Sequence, residues 1–158
     1  MNEIFIKYGS RNKNINRGYR KLDVWKEAID LFASVKKKLN EVKVLSLKSK
    51  GQIEDSILSV SSNIAEGYSR RFLKENIQYN SVALASLAEN YSQLFALLNS
   101  NDIDEIWFKI YDDKHYCLEN KLINLNKTLI DKLKNDDNWK NDYQVKELNE
   151  IYGLKEAL

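Results

Sequence analysis

Four stretches of the chain repeat apolar residues at spacings of three and four, the mark of an amphipathic helix. The first predicted helix covers residues 19–42, with Trp25, Ala28, Ile29, Phe32, Val35, Leu39 and Val42 on one stripe. Asp23 near its start and Lys36, Lys37 and Lys38 near its end suit the helix dipole. Residues 44–50 read as a linker or frayed helix start, with Ser46 and Ser49 as candidate caps. The second helix covers residues 51–69 on the stripe Ile53, Ile57, Val60 and Ile64, with Leu58, Ser61, Ala65 and Tyr68 on the opposite flank. The third covers 73–99 on Leu73, Ile77, Leu84, Leu87, Tyr91, Leu94 and Leu98, with Val82, Ala85 and Ala96 as a second apolar side. After the turn-forming run Asn99, Ser100, Asn101 and Asp102, a fourth helix covers 103–134. Its stripe includes Ile103, Ile106, Trp107, Ile110, Tyr111, Cys117, Leu118, Leu122, Leu125, Leu129 and Leu133.

The charge pattern changes what the second and third helices imply. No charged residue falls between Asp55 and Glu66, and from Asn76 to Asn101 only Glu89 is charged, in a chain that is 30% charged. A helix that is apolar nearly all round is buried nearly all round. In a four-helix monomer each helix keeps one wet face, so the excess apolar surface points to contacts between subunits. A line of small or amide side chains on helix two (Gln52, Ser56, Ser59, Asn63 and Gly67) fits close approach of another backbone.

Composition supports an all-α chain: 158 residues, no proline and five glycines. The length fits one domain with a real core. A single cysteine excludes an intrachain disulfide and fits a reducing compartment. Without a signal-peptide pattern or long apolar span, the expectation is a soluble cytoplasmic protein with no membrane partner. A net charge of +2 announces no nucleic-acid binding for the whole chain, so any such signal is local. One exists. Between Glu3 and Asp23 there is no acid, while Lys7, Arg11, Lys13, Arg17, Arg20 and Lys21 all fall there. Residues 1–18, rich in Gly, Ser and Asn, read as a flexible basic arm, solvated or reaching phosphate. Residues 19–135 read as the bundle. Residues 136–158, with Trp139, Tyr143 and Tyr152, read as a tail that forms a short docked helix or docks on a partner.

Tests for chemistry return little. A di-iron bundle needs inward Glu residues and Glu-x-x-His pairs. His115 is the one histidine and has no Glu three residues before it. His115 and Cys117, two apart on a helix, point to different sides, which disfavours zinc and a nucleophilic pair. The expectation is an exposed imidazole and a core thiol. No P-loop or dinucleotide glycine pattern occurs. The reading is therefore a non-enzyme, with no metal and no cofactor. Asn63 with Glu66 and Ser86 with Glu89 are spaced to share a helix face, and could hydrogen-bond across the contact between helices two and three. Trp25, Asn63, Glu66, Gly67, Ser86 and Glu89 are read as structural or assembly residues.

A resemblance enters on particular residues. Leu22-x-Val24-Trp25-x-x-Ala28, Gln52-Ile53, Ser59-Val60-x-x-Asn63-Ile64-Ala65-Glu66-Gly67-Tyr68 and Ala83-x-x-Ser86-Leu87-Ala88-Glu89 together resemble the four-helix bundle family encoded in intervening sequences of bacterial large-subunit ribosomal RNA genes. The accessory variability protein of diversity-generating retroelements is similar to the same family. The resemblance covers residues 19–134. It implies an up-down-up-down four-helix bundle assembled as a homopentameric barrel, without catalysis. It also implies binding to nucleic acid, RNA or DNA, and for the retroelement members to a reverse transcriptase. This chain departs from the family at Glu54 and Asp55, where basic residues are usual, and at Leu84 and Ala85, where Arg-Gly is frequent. The remaining basic candidates are Arg70, Arg71 and Lys74 beside helix two, and Arg11, Lys13, Arg17, Arg20 and Lys21 at the N-terminal end. The expected function is an oligomeric scaffold that engages structured RNA or an RNA–protein complex. The rival is a protein-interaction scaffold that recruits a partner such as a reverse transcriptase. A small-molecule or metal-binding bundle would rest on Glu66 and Glu89 alone.

Overall fold

A computed structural model describes residues 3–70 and 72–135, the side chain of Ile15 excepted. Every regular element among them is helical: α1 (Glu3–Tyr8), a 3-10 helix (Ile15–Lys21), α2 (Asp23–Glu41), α3 (Leu47–Ser69), α4 (Leu73–Asn99) and α5 (Glu105–Asn135). The four long helices pack in a closed cycle, α2 on α3, α3 on α4, α4 on α5, and α5 back on α2. The core lies inside that cycle. Ala28, Leu31, Val35 and Leu39 meet Ile57, Val60 and Ile64, then Ala83, Leu87 and Leu94, then Tyr111, Leu118 and Leu122. No helix among the described residues is long and apolar enough to cross a membrane.

Local chemistry sets the boundaries. Ser46 caps α3, its hydroxyl accepting from the Ser49 amide at 3.1 Å, so the helix starts four residues before the expected point. Asp104 caps α5, its Oδ1 accepting from the Trp107 amide at 2.8 Å. Between α4 and α5 the chain reverses through Asn101, whose φ of 61° lies in the left-handed region that Asn tolerates. The Asp102 amide donates to the Leu97 carbonyl at 2.9 Å and the Asn101 amide to Leu98 at 3.0 Å, which satisfies carbonyls the helix end would leave open.

The buried stripe of α3 is the expected one, Ile53, Ile57, Val60 and Ile64, whereas that of α4 is rotated from the expected line. On α4 the covered line is Asn80, Ala83, Leu87, Asn90, Leu94 and Leu97, so Leu84, Tyr91 and Leu98 lie at its margin. Two asparagines sit in the apolar register, and an apolar-only template slips past them. The second apolar side, Val82, Ala85 and Ala96, is exposed on the single chain, as are Leu58 of α3 and Ile106 and Ile110 of α5. His115 and Cys117 exchange the places expected of them. His115 is buried with its Nε2 3.0 Å from the Leu87 carbonyl, while Cys117 is exposed. The covered line of α5 runs Phe108, Tyr111, His115, Leu118, Leu122, and Cys117 falls off it.

The segment read as a flexible basic arm contains helical turns. Residues 1–18 contain α1 and the start of the 3-10 helix, and the latter packs on α2 and α3. The predicted first helix begins not at Tyr19 but at Asp23, because Leu22 is extended and the preceding turn is 3-10. The N-cap of the 3-10 helix is Asn14, whose Oδ1 accepts from the Arg17 amide at 3.0 Å. The expectations for Arg71 and for the tail, residues 136–158, lie outside the described residues.

Candidate nucleic-acid interface

The basic residues read from the sequence divide into those committed to the fold and those turned to solvent. Arg20 belongs to the first group. Its Nη1 donates to the Tyr8 carbonyl at 2.9 Å, its Nη2 to the carbonyls of Arg11 at 2.8 Å and Asn12 at 3.2 Å, and its Nε to that of Arg17 at 3.3 Å. One guanidinium thus ties the end of α1, the following turn and the 3-10 helix into one unit. That turn passes through Asn12 at φ 50°, again left-handed. Trp25 fixes the unit from the other side, its indole meeting Phe5 edge-on at 5.9 Å and Tyr19 at 5.1 Å. Gly18 permits the docking: a Cβ there would lie 2.2 Å from the Tyr68 hydroxyl at the end of α3.

Arg11, Lys13, Arg17 and Lys21 are exposed on this framework. Lys13, Arg17, Arg20 and Lys21 line one cleft of ≈ 590 Å³, together with Ser10, Asn14 and Tyr68, and no carboxylate is among its lining residues. The nearest acid along the chain, Asp23, is paired with Lys26 at 2.9 Å, a bond that lowers its carboxyl below the ordinary value. Among the described residues, no salt bridge includes Lys13, Arg17, Lys21 or Lys74.

Arg70 is different. It pairs with Glu66 one turn earlier and donates to the Tyr79 hydroxyl, while its guanidinium stands 4.6 Å over the Tyr79 ring. Hydrogen bonds from Tyr79 and then Arg70 hold the Glu66 carboxyl below its usual value, and Glu66 in turn raises Arg70 and Tyr79. Arg70 therefore staples the α3–α4 junction and offers a phosphate less than an unpaired guanidinium would. Lys74, at the start of α4, is exposed. The structure does not bring it into the cleft of Lys13, Arg17 and Lys21.

The polar residues expected between helices two and three are partly in place. Asn63 Nδ2 donates to the Ser59 carbonyl at 2.8 Å and Oγ at 2.9 Å, and Ser59 Oγ meets the buried Ser86 hydroxyl at 3.0 Å. Asn63 and Ser86 are thus linked through Ser59. Glu66 is exposed, so it joins the Arg70 staple instead of the interior. Glu89 is exposed as well, but its Oε1 accepts from Gln93 Nε2 at 3.2 Å, and Gln93 Oε1 lies 2.7 Å from Ser56 Oγ. From Ser56 the network enters the core: Asn90 Nδ2 donates to Ser56 Oγ at 3.0 Å and to the Ile53 carbonyl at 3.1 Å, and Tyr111 donates to Asn90 Oδ1 at 3.0 Å. Burial pushes the Tyr111 phenol far above its usual range. Sequence reasoning missed Ser56 and Asn90 as a pair. Their signal was two polar residues on the covered lines of neighbouring helices. Gly67 is buried as expected, with Tyr79 and Asn76 of α4 where a side chain would go. Among the described residues, no group of three or more His, Cys, Asp and Glu could hold a metal ion.

These features define an all-helical protein built for packing between helices, with an ordered basic appendage at one end. A sequence-family model described as 23S rRNA-intervening sequence protein matches residues 20–127, more than half of the chain, and the chain belongs to that family. The match begins at Arg20, so α1, the turn after it and most of the 3-10 helix precede it. The curated proteins give no match.

Proposed function

We propose that the protein is a non-enzymatic oligomeric scaffold that engages structured RNA or an RNA–protein complex through the basic residues of its N-terminal end. The observation that carries this reading is the acid-free run of cations from Lys7 to Lys21, held on a folded unit and not on a loose tail. Lys and Arg side chains without carboxylate partners release counterions when they meet phosphate, and such contacts add. Membership of the intervening-sequence family is consistent with an RNA context. In this reading the four long helices run up-down-up-down and the chains form a homopentamer, which repeats the basic unit around a ring in the cytoplasm.

The exposed apolar residues support assembly. Leu58 and Val82 are both 43% exposed, Phe95 50%, Ile110 51% and Ile106 80% on the single chain. Light scattering is expected to give several times the 18.5 kDa chain mass. A monomer at micromolar concentration overturns the assembly reading. A gel-shift titration with structured RNA at several salt concentrations tests the binding reading. Affinity that is weaker than micromolar and indifferent to salt removes it. The same apolar faces favour a second reading, in which the oligomer recruits a protein such as a reverse transcriptase. A specific pull-down of that enzyme without RNA would favour it.

A further inference from the structure

The cleft at the N-terminal end has a narrower use than general attraction to RNA. Four cationic side chains (Lys13, Arg17, Arg20 and Lys21) share it with Ser10 and Tyr68, and no acid lines it. A cluster of like charges in a concave site costs free energy in the folded protein unless an anion is present. Within the cluster, the Arg20 guanidinium keeps its charge but spends its donors on carbonyl dipoles. Its nitrogens bond the carbonyls of Tyr8, Arg11, Asn12 and Arg17, and this fixes the wall of the cleft. Arg17 shares one nitrogen, Nη1, with the Asn12 carbonyl at 3.3 Å, which aims its guanidinium without exhausting its donors. Lys13 and Lys21 are exposed with no carboxylate within salt-bridge reach among the described residues. The floor is firm, since Gly18 lets Tyr68 lie against the 3-10 helix and Trp25 clamps Phe5 and Tyr19.

We propose that this cleft is a discrete phosphate-binding site that seats a phosphate group of an RNA strand, with Lys13, Arg17 and Lys21 as the contacting residues and Arg20 as the residue that positions them. The inference rests on the RNA-binding reading above, and it adds a location and a division of roles. It also places the site apart from Arg70, whose guanidinium is held by Glu66 and Tyr79. The shared chemistry is phosphate, so a free anion and an RNA strand are both admitted by the cleft and are separated by experiment.

The test compares the full chain with two triple variants of equal charge loss. One is Lys13→Gln, Arg17→Gln and Lys21→Gln in the cleft. The other is Lys109→Gln, Lys114→Gln and Lys127→Gln, at exposed positions of α5. Circular dichroism and melting establish that each folds. Titration with a structured RNA is expected to show strong weakening for the cleft variant only. Its log–log salt slope should fall by about 0.7–0.9 for each seated phosphate lost. Equal weakening by both triples, or none by either, overturns the site. If the unaltered protein binds no RNA, the function reading fails, and inorganic pyrophosphate then decides the cleft. Amide shifts at Gly9 and Gly18 in the unaltered protein that vanish in the cleft triple keep it as an anion site. No shift at those amides removes it. With RNA binding present, loss of affinity in Arg20→Gln together with faster amide exchange in α1 supports the positioning role. Loss without faster exchange would make Arg20 a direct contact.

Discussion

Helix α3 contains two glycines, Gly51 and Gly67, and replacing each with alanine separates helix propensity from packing. Alanine is the better helix former by about 0.8–1.0 kcal/mol at an interior position. At Gly51 a new Cβ meets nothing within 4 Å, so Gly51→Ala should stabilise the chain by up to about that amount. At Gly67 a Cβ would fall 2.8 Å from the Tyr79 Cβ, 3.2 Å from the Asn76 carbonyl oxygen and 3.3 Å from Asn76 Oδ1. The first two are backbone or backbone-anchored atoms, which cannot rotate away. Relief requires α3 and α4 to separate, and overpacking of this kind costs about 1–3 kcal/mol. The propensity gain offsets part of it, so Gly67→Ala should be destabilising by about 1 kcal/mol net. The two variants should therefore differ by about 2 kcal/mol, or roughly 4–8 °C in Tm for a chain of this size. Urea or thermal unfolding at matched protein concentration measures this, because assembly would make the midpoint concentration-dependent. A Gly67→Ala variant that melts as high as Gly51→Ala would refute the close-packing argument. Gly67→Leu, which adds volume that no small shift can absorb, should prevent folding or assembly.

The buried chain of Ser56, Asn90 and Tyr111 makes a second prediction. Asn90→Ala leaves the Tyr111 hydroxyl without its acceptor and should cost about 1–3 kcal/mol beyond the cavity, part of which Tyr111→Phe in the same background restores. A double-mutant cycle with no coupling would contradict that network. Arg20→Gln should speed amide exchange across α1 and the turn after it while exchange in the cores of α3 and α4 stays unchanged, because the bonds it loses lie outside the bundle. Asp104 carries a pH dependence. The bond from Lys38 at 2.5 Å, and then the Trp107 amide, lower its carboxyl, so the folded state binds its proton less readily than the unfolded chain. Its contribution is fully present above the ordinary carboxylate range and fades as pH falls through the lowered value. Asp104→Asn keeps the cap but not the charge, so its stability deficit against the unaltered protein should shrink below about pH 4. A deficit that is constant with pH would assign the effect to something other than this ion pair.

The sequence by itself determined the four long helices. The third was placed at its observed bounds, Leu73–Asn99, because the period of apolar residues, the absence of proline and turn-forming residues at both ends all agree. It also determined the family, since Trp25 and the segment from Asn63 to Tyr68 are local motifs. The helix faces were less legible. Asn80 and Asn90 hold core positions because partners on α3 and α5 or within α4 satisfy part of their polarity, and a partner across a helix contact leaves no trace in local spacing. The same limit explains Glu66 and Glu89. They look inward amid apolar neighbours, yet both are exposed once the helices are rotated to bury Ala83, Leu87 and Leu94. At the N-terminal end, glycines and asparagines hid an ordered unit. Its order comes from Arg20 bonding carbonyls up to twelve residues away and from Trp25 meeting Phe5, contacts that only tertiary structure creates. Sequence counted the cations. The fold decided which of them brace the protein, as Arg20 and Arg70 do, and which line the cleft unpaired by acid, as Lys13, Arg17 and Lys21 do, because a guanidinium saturated by carbonyls or a carboxylate has little left for a phosphate.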